Sequence, residues 1–151
     1  MRRAAKTSVC AAAVGLLLLA AGCGGDDEEG SDEALSRDEL IERADAICAS
    51  GDEEIRAESG SEPQQDFADV KKIVREIVVP GLRDEIDQLR DLTPPPEDQG
   101  AYERFVDTLE RGVDRLEARP SEVRFGRAYR TIRDARRQAD ALGMTSCAVG
   151  A

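Results

Sequence analysis

Ala101-Tyr102-Glu103-Arg104-Phe105-Val106-Asp107-Thr108-Leu109-Glu110-Arg111-Gly112-Val113-Asp114-Arg115-Leu116 carries the fold in its spacing. Tyr102, Phe105, Val106, Leu109, Val113 and Leu116 recur at three and four residues, the period of one face of an α-helix, and charged residues fill the rest. One buried stripe needs partners, and the sequence holds three more. Upstream, Thr93-Pro94-Pro95-Pro96 stops whatever precedes it, because a residue before proline is pushed out of the helical region. Downstream, Arg119-Pro120-Ser121 breaks the chain again, and Phe125, Ala128, Tyr129, Ile132, Ala135, Ala139 and Leu142 form the next stripe, up to Gly143. Gly143 is well suited to the left-handed residue that ends a helix, with Met144 folding back inward.

The first helix is predicted over residues 37 to 59. Ser36-Arg37-Asp38-Glu39 has capping-box spacing, Ile41, Ala44, Cys48, Gly51 and Ile55 make its apolar face with Leu40 and Ile47 beside it, and Ser59-Gly60 ends it. Ser61-Glu62-Pro63-Gln64 repeats the cap spacing, and Phe67, Val70, Val74, Val78, Leu82, Ile86 and Leu89 follow in helical period. Pro80-Gly81 interrupts that period, but the face resumes in phase, which predicts one helix kinked at Pro80; a strand at Ile77-Val78-Val79 is the competing expectation. Four segments joined by short connections imply an all-α domain, an antiparallel four-helix bundle over residues 36–151.

Ahead of that domain the chain changes character. Arg2, Arg3 and Lys6 precede an apolar run of 13 residues, Val9 to Ala21, which ends in Leu19-Ala20-Ala21-Gly22-Cys23. The run is too short to span a bilayer at about 1.5 Å per residue, so it reads as a secretory signal over residues 1–22. Its end resembles the lipobox of bacterial lipoproteins, which implies cleavage after Gly22 and a diacylglycerol thioether on Cys23. A simple secretory cut, or an uncleaved anchor, are the other readings. Residues 23–35 then form the lipidated cysteine and an acidic Gly-rich spacer with too little apolar surface to fold. The expected location is the extracytoplasmic face of the cell membrane, held by acyl chains without spanning it.

Composition narrows the chemistry. Loss of the three basic residues in 1–22 takes the net charge from −11 to −14, which argues against nucleic acid as a partner. The chain has no histidine, removing the commonest general base and the usual nucleophile partners, and no phosphate loop, CxxC motif or nucleophile elbow appears. No enzyme activity, cofactor or metal site is therefore expected. Of four cysteines, Cys10 goes with the signal and Cys23 takes the lipid, leaving Cys48 and Cys147 to pair in an oxidising compartment. That bond requires the chain after Gly143 to turn back along the first helix.

Three surface features remain. Glu103, Asp107, Glu110, Asp114 and Glu117 form a row beside the core face of the third helix, suited to ion pairs with a neighbouring helix and, less directly, to a divalent cation. Arg127, Arg130, Arg133 and Arg137 lie on the outer face of the fourth helix, either as a solvated face or as contacts for anionic headgroups or cell-wall polyanions. Tyr102 and Tyr129 are expected in the core with hydroxyls at its rim. Eighteen of the 21 basic residues are arginine, a codon-composition trait rather than a functional one.

With the lipobox and acidic spacer, Ala44-Asp45-Ala46-Ile47-Cys48, Leu92-Thr93-Pro94-Pro95-Pro96 and Ala141-Leu142-Gly143-Met144-Thr145-Ser146-Cys147 resemble small exported lipoproteins of actinobacteria. The resemblance implies localisation and the cysteine pair. It points to a membrane-tethered, non-enzymatic envelope binding or structural module whose partner is an envelope protein or a cell-wall polyanion. The alternative is a small-solute or metal-binding lipoprotein with its site between helices.

Overall fold

The computed structural model describes residues 34–60 and 66–149. The signal, Cys23, the acidic spacer up to residue 33 and the cap expected at Ser61 lie outside the described residues. Those described are helical, with no strand among them: α1 (Arg37–Ser59), α2 (Phe67–Ile73), a π turn (Val74–Val78), α3 (Val79–Arg90), α4 (Pro96–Ala118), a 3-10 turn (Pro120–Glu122) and α5 (Gly126–Leu142). Since α2, the π turn and α3 follow without a break, four helical stretches result. None is long and apolar enough to cross a membrane.

Local chemistry sets each start. Ser36 accepts from the Glu39 amide while the Glu39 carboxylate accepts from the Ser36 amide at 2.9 Å, the reciprocal capping box read from the sequence. The Ser36 hydroxyl also donates to the Glu39 carboxylate at 2.6 Å, and this bond first and the Ser36 amide second hold that carboxyl below the usual range. At α2 the described cap is Asp66, which accepts from Ala68 N at 3.1 Å. Pro95 and Pro96 open α4, where a missing N–H costs nothing because the first-turn donors have no partner within the helix.

The stretch Ile77-Val78-Val79, where a strand was the competing expectation, is helical. Pro80 has no N–H, and its ring crowds the carbonyl four residues back. Widening the preceding turn relieves this, with Val79 N–H donating to the Val74 carbonyl five residues earlier. The extra residue moves the apolar face by one position. Val74 and Val79 are buried while Val78 is only partly so, and Leu82, Ile86 and Leu89 continue the stripe.

Leu40, Ala44 and Cys48 of α1, the α3 stripe, all six predicted α4 positions and Ala128, Ile132, Ala135, Ala139 and Leu142 of α5 share one core. Two expected members leave it. Phe125 is 59% exposed, because it stands in extended backbone before α5, and Gly126 (φ +90°) turns the chain away from it. Tyr129 is half-buried beneath Arg133. Tyr102 goes deeper than expected: its hydroxyl is not at a rim but donates to the Leu89 carbonyl at 2.7 Å, and its ring meets Phe105 edge-on.

At Gly112 helices α4 and α5 meet so closely that an added Cβ would lie 2.6 Å from Ile132 Cγ1 and 3.1 Å from its backbone nitrogen. Gly100, on an exposed part of α4, meets nothing nearer than 3.5 Å. Gly112→Ala is expected to destabilise by about 1–2 kcal/mol, overpacking outweighing the gain in helix propensity. Gly100→Ala should stabilise by about 0.5–1 kcal/mol through propensity alone. Urea midpoints moving in opposite directions check the pair.

Candidate functional site

An open groove between α4 and α5 gathers the basic residues. One part, about 510 Å³, is lined by Arg115, Arg127, Arg130, Arg133 and Arg137; an adjoining part, about 530 Å³, adds Arg111. Asp134 is the one carboxylate among the described residues that line it, and it pairs with Arg137. The four arginines of α5 expected on an outer face are thus one wall, and α4 supplies another. This concentration of positive charge stands on a chain of net charge −11.

Two threonines set the α4 wall. Thr131 Oγ1 donates to the Arg127 carbonyl at 2.8 Å and accepts from Arg115 Nη1 at 2.5 Å. Thr108 Oγ1 donates to the Arg104 carbonyl at 2.6 Å and accepts from Arg111 Nη2 at 2.7 Å. Each hydroxyl, buried and fixed by the carbonyl four residues back, restrains a long exposed side chain. Arg133 rests 5.7 Å from the Tyr129 ring centroid, and its buried Nε lacks a hydrogen-bond partner. Such a groove can hold anions through forked N–H donors.

The acidic row of α4 is committed elsewhere. Arg90 bonds Asp107 at 3.1 Å and Glu110 at 2.6 Å, Arg83 bonds Asp114 at 2.6 Å and Glu117 at 2.9 Å, and Glu103 accepts from Gln99 at 3.0 Å. Four of its five carboxylates therefore pair with α3, in the manner expected for flanking positions in packed helices. These pairs are half exposed and worth little individually, but they draw negative charge towards α3 and away from the groove.

Cys48 and Cys147 are bonded, their Cα atoms 5.1 Å apart. Gly143 takes the left-handed conformation at φ +91°, and Met144 N–H bonds the Ala139 carbonyl at 3.0 Å, burying Met144. The tail is then caught by Asp45, one residue the sequence reading left without a role. Its carboxylate accepts from the amides of Thr145 (3.0 Å), Ser146 (2.7 Å) and Cys147 (3.3 Å) and from the Thr145 hydroxyl (3.2 Å). Its position three residues before Cys48 is the available signal, since it puts the carboxylate one turn along the same helix.

Beside the disulfide, Glu85 is buried among Asp52, Arg136, Leu82 and Phe105 at an enclosed space of about 20 Å³, room for one water rather than a solute. Burial first and the Asp52 carboxylate second push its carboxyl up to about 8, against the opposing pull of Arg136. Glu122 has the reverse environment. It caps α5 from a distance, accepting from Ala128 N (2.9 Å) and Arg127 N (2.7 Å), and these amides with Arg119 hold its carboxyl below the usual range. Comparisons with family models, curated proteins and solved structures return no match to this chain.

Proposed function

We propose that the chain is an exported lipoprotein, anchored through Cys23 on the extracytoplasmic face of the cell membrane, whose helical domain holds an anionic envelope component without performing chemistry on it. The arginine groove carries this reading: six guanidinium groups face one carboxylate there, on a chain rich in acid. Supporting it are the lipobox ahead of an acidic spacer, the absence of histidine from the sequence and the resemblance to small actinobacterial lipoproteins. The domain is an antiparallel four-helix bundle whose second helix bends at Pro80. Gly51 beside Glu85, Leu89 beside Tyr102 and Gly112 beside Ile132 support the helix directions, and the π turn before Pro80 supports the bend.

Leu35 N bonds the Thr93 carbonyl, and Arg37 bonds both Asp98 and the Leu142 carbonyl. In a bundle these contacts gather the end of α3, the start of α4 and the end of α5 around the start of α1. Cys23→Ala is expected to shift the chain from the membrane fraction to the soluble one after a high-salt wash. The released chain should still bind washed envelope fragments in a salt-sensitive manner, and lose that binding when Arg127, Arg130, Arg133 and Arg137 are changed to Gln. Retention of Cys23→Ala on membranes would refute the anchor; envelope binding indifferent to the four arginines would refute the groove.

A further inference from the structure

We infer that the α4–α5 groove is a site for a linear phosphate-bearing polymer, with two or more phosphates seated along it; this rests on the anion-binding reading above. Length is the first reason. At about 1.5 Å per residue, Arg127 to Arg137 covers roughly 15 Å of α5, more than a single phosphate can engage. Shape is the second. Arginines approach from two helices, so an anion between them meets N–H donors on two sides. A tetrahedral phosphate points oxygens towards both walls, whereas a planar carboxylate is satisfied by one guanidinium fork.

Preparation is the third reason. Thr131 and Thr108 hold Arg115 and Arg111 at the α4 wall, reducing the side-chain entropy lost when an anion arrives. Single-stranded nucleic acid shares the phosphate chemistry and adds stacking of its bases on aromatic platforms. The groove's described lining residues include no aromatic side chain, and Tyr129 is covered by Arg133. A bilayer presents headgroups over a plane rather than along a line, and suits a groove between helices less well than a chain does.

The experiment uses the exported chain with Cys23→Ser and compares long-chain inorganic polyphosphate, orthophosphate, poly-glutamate, a single-stranded oligonucleotide and anionic phospholipid vesicles at matched charge. Polyphosphate should bind at least about tenfold more tightly than any of the others. With four to six phosphates engaged, log affinity against log salt should have a slope of about −3 to −4. Gln at Arg127, Arg130, Arg133 and Arg137 should abolish measurable binding. Thr131→Val removes no charge, and should weaken binding a few-fold by freeing Arg115; an unchanged thermal transition shows that the fold persists. Equal binding of orthophosphate or poly-glutamate, tighter binding of the oligonucleotide or vesicles, or affinity unaffected by Thr131→Val together with the four Gln changes would each overturn the inference. Failure of every anion to bind would instead remove the anion-binding reading beneath it.

Discussion

Changing Cys48 and Cys147 together to Ala is expected to lower the unfolding free energy by about 3–5 kcal/mol. The bond closes a separation of 99 residues, so its loss returns a large amount of conformational freedom to the unfolded chain. Cys48 is also 2% exposed, and removing its sulfur leaves a gap at the core. Four hydrogen bonds from Thr145, Ser146 and Cys147 to Asp45 remain, so the tail is not released outright. Urea unfolding of the oxidised parent, the reduced parent and the variant separates these contributions. Reduced parent and variant should unfold at similar midpoints, well below the oxidised parent. A reduced parent as stable as the oxidised one would refute the estimate.

The second large effect comes from Glu85. Its folded value of about 8 lies above the ordinary 4.5, so the native state keeps a proton that the unfolded state has already lost between those values. Stability contributed by this group therefore falls as pH rises from about 4.5 to about 8, and is level outside that window. At pH 7 the penalty is of the order of 2–4 kcal/mol. Glu85→Gln resembles the protonated carboxyl in shape and cannot ionise, so it should be more stable than the parent by about that amount at pH 7. The difference should close near pH 4.5 and widen up to pH 8. Denaturation across pH 4–9 checks it, and a difference independent of pH would show that Glu85 is charged in the fold.

Most of the helical content was legible in the sequence, because a helix is a local object. The α4 stripe, the Ser36-Glu39 box, the proline stop and Gly143 act within a few residues of chain, and the structure places them as expected. Where local reading failed, something non-local or stereochemical intervened. The phase shift from Val78 to Val79 arises from the carbonyl geometry in front of Pro80, which a list of apolar residues does not encode. Phe125 looked like a core position by period, but the period has meaning only inside a helix, and α5 begins after it. The candidate site was half legible: four arginines on α5 were visible as a face, while Arg111 and Arg115 belong to another helix and are ordinary charged residues in its polar positions. In a chain where 18 of 21 basic residues are arginine, nothing marked them out.

By itself, then, the sequence determined that residues from Ser36 onward form apolar-faced helices and where these stop, and it singled out Cys48 and Cys147 as a pair. Those conclusions depend on near-neighbour sterics, capping hydrogen bonds and elimination. Only the tertiary structure decided which charges are paired and which face open space. Arg83 and Arg90 draw four carboxylates of α4 to one side, and close contact at Gly112 brings α4 and α5 together so that six guanidinium groups share a groove. Charge pairing depends on distances across helices, and these exist only once the core has packed.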